Sequence, residues 1–474
     1  MIKYFYSFKM KNIIFIIFYL ALILEINGNF LRNLKEENPP EPPSGDEPPQ
    51  PPSDQPGPSP SGENGYNYTD YKATSTNKNL TEGKQIISKN SDESAAYVTE
   101  NGITFVKADL IKESGNSSNI ENSEFYGVNA AILVQGGGLT INGGNITTKA
   151  TGGNALCVTN DGKATLTKTV IKSIAESSAR GLHATYGGEI IGTQLTISST
   201  GGSCATLATD RGEGIVKCTN CELKTEGKGS PLIYSTGQIT ISETEGTATY
   251  SQMVVVEGKN TATVKDFSNL KCHGNGNREG NPDKCGIMLY QSMSGDAEDG
   301  ISTFNCENSI MEILSESEVY NSAPMFFITN TKADINLANC SFTYGSEIFL
   351  TGKGTSEWGE SGNNGGEITL TLTNQEITGD LVIDKISTLE LKMVNSTFTG
   401  KINNGKTASK MSITLDSNSK IILTGDSYYT SLTNSDSEGT NIEKGSFKFE
   451  EYTPDTSSQK WIKVSMMLLI LLFL

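Results

Sequence analysis

A phrase that returns about every 25 residues constrains this chain more than anything else, because periods of that size belong to solenoids. The run Thr151–Gly162 (TGGNALCVTNDG) comes back as Ser178–Gly188 (SARGLHATYGG) and again as Thr200–Gly212 (TGGSCATLATDRG). A shorter copy is Ser230–Gly237 (SPLIYSTG). Aligned this way, Thr159, Thr185 and Thr209 are expected to share one position on successive coils. Each copy holds short apolar runs rich in β-branched residues, separated by Gly-rich turns, which read as strands rather than helices. One such unit cannot bury its apolar side alone, whereas a stack of units can. The fold class expected is therefore all-β, a single-stranded parallel β-helix, with rungs from Tyr97–Val106 through Ala155–Val158 and Leu232–Tyr234 to Leu381–Ile383.

A second pattern supports this register. Asn220, Asn339, Asn374 and Asn395 each stand three places before an apolar residue, with Asn305-Cys306 as a variant. Asn tolerates left-handed backbone, so one Asn per coil fits one corner of the stack. The pattern resembles the asparagine ladder of right-handed parallel β-helices of the pectin-lyase-like kind, over roughly residues 82–445. The Arg180–Gly188, Ala208–Gly214 and Gly229–Gly237 phrases look like those of secreted, adhesin-like β-helix proteins of microbes. That resemblance implies a surface or matrix role and brings no catalytic motif.

The two ends read as addresses. Lys3, Lys9 and Lys11 precede a short apolar run, Ile13–Leu24, so 1–28 is expected to be a signal peptide. Residues 29–81 begin with proline-rich, acidic sequence and form an expected disordered stalk of extended, hydrated chain. The body is expected at 82–445. In 446–474 a small triplet at Asp455-Thr456-Ser457, a polar spacer and the apolar end Met466–Leu474 read as a GPI-anchor signal with attachment at Asp455. An extracellular, membrane-anchored location follows as the expectation. The Asn-x-Ser/Thr sequons at Asn67, Asn79, Asn116, Asn145, Asn339 and Asn395 would then be glycan acceptors.

With Lys+Arg 37 against Asp+Glu 54, the formal net charge is -17, which argues against a nucleic-acid partner. Eight cysteines, an even number, suit an oxidising compartment. Cys306 and Cys340 both follow Asn one coil apart and are expected to pair; Cys272 and Cys285 bracket a Gly/Asn-rich loop that a disulfide would staple. Cys157 and Cys204 read as buried thiols. Cys218 and Cys221 form a lone Cys-x-x-Cys that lacks further zinc ligands, the only histidines being His183 and His273. Asp296, Glu298 and Asp299 form an acidic loop able to attract Ca²⁺, the one cofactor the sequence suggests.

Two functions are compatible with these features. The first is a non-enzymatic adhesin-like or wall-binding protein, contacting a glycan or an extracellular matrix protein through Tyr186, Tyr234, Tyr290 and Trp358. The second is a secreted polysaccharide lyase or glycoside hydrolase using Asp210, Arg211 and Glu213 with His183 and Arg180 on the preceding coil. Asp210-Arg211-Gly212-Glu213 is also what a turn with an internal ion pair looks like.

Overall fold

The computed structural model describes residues 66, 68–275, 284–292, 294 and 297–454. The signal peptide, most of the stalk, Asn67, Asp296, Asp455 and the apolar tail lie outside the described residues. The described chain is almost wholly parallel strand. A 12-stranded sheet runs from Lys72–Thr76 to Asp380–Ile383, taking one strand from each coil. A 21-stranded sheet takes up to two strands from each coil, such as Lys163–Thr167 and Val170–Ser173. Strands therefore begin ten residues before the expected start of the body at 82, and the last, Phe449–Glu451, follows its expected end at 445.

The coils share one interior. Leu156, Leu182, Leu207 and Ile233 are register partners on successive strands of the 12-stranded sheet, and all are fully buried. The larger sheet shows the period-2 alternation of a surface wet on one side: in Lys163–Thr167, Ala164 and Leu166 point inward between exposed or half-exposed neighbours. The smaller sheet does not alternate. Leu156–Thr159, Val254–Glu257 and Phe326–Thr329 are buried at every position, so part of its outer face is covered too.

The expected corner exists, and backbone conformation defines it. Asn220, Asn339, Asn374 and Asn395 adopt φ of 54°, 52°, 48° and 46°. Lys168, Gln194 and Glu243 hold the same left-handed turn on other coils, at 51°, 56° and 49°. The corner demands a left-handed residue; Asn meets that demand at little strain without being obligatory. A side-chain ladder links Asn395 Nδ2 to Asn374 Oδ1 at 2.8 Å. The variant falls elsewhere: Asn305 lies on strand Ile301–Glu307 against Asn336, and the corner residue of that coil is Asn308.

Three register details correct the sequence reading. Thr185 Oγ1 lies within hydrogen-bond reach of Thr159 Oγ1, 2.9 Å away, as expected of one row. Thr209, however, is paired with Ala184, one place off, because it follows Leu207 by two places where Thr185 follows Leu182 by three. Cys306 and Cys340 do form a disulfide, yet not from equivalent positions: Cys306 is paired with Leu337, and Cys340 sits past the next corner. Cys272 and Cys285 are not joined. Cys272 belongs to the rod interior, whereas Cys285 packs with Val255, Met288 and Phe327 on the outer side of the sheet. Cys157 and Cys204 are buried thiols, and Cys218 and Cys221 both face the interior. The sequons at Asn79, Asn116, Asn145, Asn339 and Asn395 are all exposed.

Candidate functional site

The covered part of the smaller sheet is where chemistry gathers. One row of outward side chains there runs Leu133, Cys157, His183, Ala208, Tyr234, Val255, Met288, Phe327. A helix, Ile120–Tyr126, lies over its early members. Asn119 caps the helix N-terminus by accepting from the Asn122 N–H, and Gly127 ends it at φ 71°. Only glycine fits at that end, since a Cβ on Gly127 would lie 2.4 Å from Cys157 Sγ. Thr185 Oγ1 then donates to the Phe125 carbonyl at 2.8 Å, pinning the last turn to the sheet.

The helix delivers Glu124 to Arg180, 2.9 Å from its Nη1. Arg180 Nη2 lies 3.7 Å from Asp210 Oδ2, so one guanidinium bridges two carboxylates. Burial opposes the charge on Arg180, but Glu124 and then Asp210 outweigh it and hold the guanidinium above its usual range. Asn154 organises the base of this group. Its Oδ1 accepts from the Arg180 backbone N–H at 2.8 Å, which fixes the amide's orientation. Its Nδ2 then donates to the Ser123 carbonyl and to His183 Nδ1, at 3.1 and 3.0 Å. With Nδ1 accepting, the neutral His183 ring carries its proton on Nε2, which lies 3.9 Å from Asp210 Oδ2. Burial, and then the Arg180 charge, push His183 well below its ordinary value. No lone pair of the His183 ring remains to take a proton.

A second cluster lies farther along the same face. Tyr234 and Tyr290, on the coils either side of Glu257, both donate to Glu257 Oε2, at 2.5 and 2.8 Å. Tyr290 is the register partner of Glu257, so this contact is a direct cross-strand pair. Burial, followed by the Glu257 charge, pushes the Tyr234 phenol well above its usual value. Trp358 comes from the insertion after strand Ile348–Gly352 and packs on Tyr290, ring centroids 5.1 Å apart. Asn364 Nδ2 holds that insertion by donating to the Thr355 and Trp358 carbonyls at 2.5 and 2.6 Å. Trp358 Nε1 is buried without a hydrogen-bond partner among the described residues.

Between the clusters is a cavity of about 200 Å³, lined among others by Glu124, Arg180, Asp210, Tyr234, Tyr290 and Trp358. The structure thus brings together Arg180, Asp210, Tyr234, Tyr290 and Trp358 of the sequence candidates, with His183 directly behind Asp210. The others go elsewhere. Arg211 lies over the Phe125 ring, 3.8 Å from its centroid. Glu213 sits in a left-handed turn at φ 54°, is half exposed and pairs with Lys259 at 2.9 Å. Tyr186 stacks on Tyr126 beneath Tyr66, flanking the cavity without lining it. In the acidic loop, Lys259 holds Glu298 at 2.5 Å, and among the described residues no group of His, Cys, Asp or Glu is arranged to hold a metal.

Sequence reasoning missed Glu124, Asn154 and Glu257. Asn119 and Gly127 at the ends of a seven-residue helix were the signal for Glu124. Glu257 is one residue past the rung ended at Val256, and its pairing with Tyr290 would have shown it.

The tyrosines packed around Tyr126 carry a pH signature. Burial raises the phenols of Tyr66, Tyr71 and Tyr186 above their ordinary value. A raised folded value stabilises fully below the unfolded value of ~10 and is lost as pH rises through the folded one. The melting temperature is therefore expected to hold to pH ~10 and fall above it, with tyrosinate absorbance rising in the same cooperative step as the loss of ellipticity. Gradual ionisation of all tyrosines near pH ~10 in a fully folded rod would contradict this.

No protein-family model, curated protein or solved structure matches this chain.

Proposed function

We propose that this chain is a cell-surface display rod whose covered sheet face binds a carbohydrate, in the manner of an adhesin-like or wall-binding protein. The observation that carries the reading is the cavity itself: three aromatic side chains, Tyr234, Tyr290 and Trp358, surround a space of about 200 Å³ beside ordered charged groups. At the ~30 Å³ a water molecule takes in the liquid, that is room for one sugar ring in place of roughly six or seven waters. Aromatic faces offer apolar contact to a ring's C–H face, and the surrounding polar groups supply hydrogen bonds. Strand backbone holds Tyr234 and Tyr290, and Asn364 holds the insertion that carries Trp358, so little has to order on binding. The likeness to pectin-lyase-like helices, the stalk composition and the two terminal address signals point the same way.

Titration of the purified protein with a panel of oligosaccharides tests the reading. Trp358→Ala is expected to weaken the best ligand at least ~10-fold, since buried aromatic anchors dominate such sites. Unchanged affinity in that variant would remove the cavity from the account. A polysaccharide-active enzyme is the second reading, favoured by the two carboxylates, Glu124 and Asp210, that flank Arg180 at the cavity edge. Turnover abolished by Asp210→Asn and retained by Trp358→Ala would establish it instead. For the anchor, treating intact cells with a phosphatidylinositol-specific phospholipase is expected to release the protein. Retention on the treated cells would count against a lipid anchor.

A further inference from the structure

We infer that Cys218 and Cys221, thiols in this structure, close into a disulfide across one corner of the rod, a second covalent link beside Cys306–Cys340. Such a link stands apart from whatever the cavity binds. Position points to it first. The corner residues Asn220, Asn308 and Asn339 all adopt left-handed backbone, at φ of 54°, 48° and 52°. Cys218 stands two places before its corner and Cys221 one place after it. Cys306 and Cys340 take the same two places on neighbouring coils, Cys306 two before Asn308 and Cys340 one after Asn339. Their disulfide shows that side chains at these places converge from coil to coil. They also meet within one coil. On the coil before, the two places hold Gly192 and Leu195, and a Cβ on Gly192 would lie 2.4 Å from Leu195 Cδ1 and 3.3 Å from Cys218 Sγ. Cys218 and Cys221 are both buried in the interior. A hydrogen bond between the two thiols is the first cause that pushes Cys218 well above its ordinary value and Cys221 below it.

Residue type points the same way. The place after the corner suits a hydroxyl: Thr169, Thr244, Ser309 and Ser396 sit there, and each donates to the carbonyl two residues earlier at 2.8–3.0 Å. Cys221 and Cys340 reach the equivalent carbonyls, of Thr219 and Ala338, at 3.4 Å through sulfur, a weak donor. A hydroxyl makes that hydrogen bond better, so the hydrogen bond does not account for a thiol. Among the described corners from Lys168 to Asn395, cysteine takes the place before only at 218 and 306, and the place after only at 221 and 340. Each thiol of one column thus has one partner in the other. Closure oxidises two thiols by two electrons, which a small disulfide such as oxidised glutathione accepts. One cysteine thiolate attacks it, releasing a thiolate and leaving a mixed disulfide; the second cysteine thiolate displaces the other. The two protons lost by the cysteines end on the two released thiols. Since both sulfurs are buried in the finished rod, the exchange takes place while the coils are still stacking.

The test is a disulfide map of the full chain, in one sample secreted from a eukaryotic host and in a second reduced, unfolded and refolded in a glutathione buffer. Each is unfolded in iodoacetamide without reductant and cut with trypsin, which frees the peptide Cys218–Lys224 (CTNCELK) after Lys217. That peptide is expected without alkyl groups and lighter than its dithiol form by two hydrogens. After reduction it is expected to take two alkyl groups. The link in either sample supports the inference. Two alkyl groups without reduction in both samples would overturn it, as would either cysteine joined to Cys157, Cys204, Cys272 or Cys285. Cys221→Ser supplies the hydroxyl that other coils carry at this place, and is expected to fold and to leave Cys218 a free thiol that alkylates. Cys218 still blocked in that variant would overturn the assigned partner.

Discussion

Replacing Arg180 with methionine is expected to cost about 3–5 kcal/mol of stability, the range for removing one partner of a buried ion pair. The Arg180 side chain is 9% exposed, and that of Asp210 is 7% exposed. Methionine would fill the volume and remove the guanidinium that Glu124 and Asp210 share. The loss should be local. Glu124 sits on the helix Ile120–Tyr126, so hydrogen exchange in that helix is expected to quicken well before exchange in the interior strands. Adding Asp210→Asn should return part of the loss, because it removes one of the two carboxylates that Arg180 bridges. A single-variant cost below ~1 kcal/mol would mean that Arg180 is held for ligand contact and not for the fold.

The second large effect is expected at Phe326. This ring is fully buried and meets the rings of Phe304, Phe342 and Phe349, with centroids 5.3–5.9 Å apart. Phe326→Ala is expected to cost about 3–5 kcal/mol, from lost transfer free energy and the cavity left behind. In a stack whose coils touch only their neighbours, the damage should stay near residues 304–349. Exchange mapped by mass spectrometry should rise there and remain unchanged around Ile132–Ala184. A uniform rise along the whole rod would show that the coils unfold as one unit and would falsify the nearest-neighbour picture.

Much of the architecture was legible before any coordinates. Short β-branched runs at a near-constant spacing, divided by Gly-rich turns, can satisfy their backbone and bury their apolar side chains by stacking. That requirement is local and repeated, so sequence alone settled the all-β parallel stack. It also settled the left-handed corner, because Asn220, Asn339, Asn374 and Asn395 are residues that accept that backbone with little strain. Exact register was less secure. One residue fewer between Leu207 and Thr209 than between Leu182 and Thr185 moves Thr209 beside Ala184, a slip that aligning the threonines hides.

The cavity was decided by tertiary structure. Its partners come from a helix near residue 124, from coils between residues 180 and 290, and from an insertion at residue 358. Neither cover obeys the period of the coils, so no repeat predicts where it lands. The sequence did hold one unread hint: Leu156–Thr159, Val254–Glu257 and Phe326–Thr329 run without polar alternation, which marks strands covered on both faces. What those runs could not say is which charged groups would be carried in with the covers. Glu124 meets Arg180 across 56 residues of sequence, and Glu257 gains two tyrosines from the coils before and after it. Such pairings arise from where a non-repeating segment comes to rest, and only the folded chain fixes that.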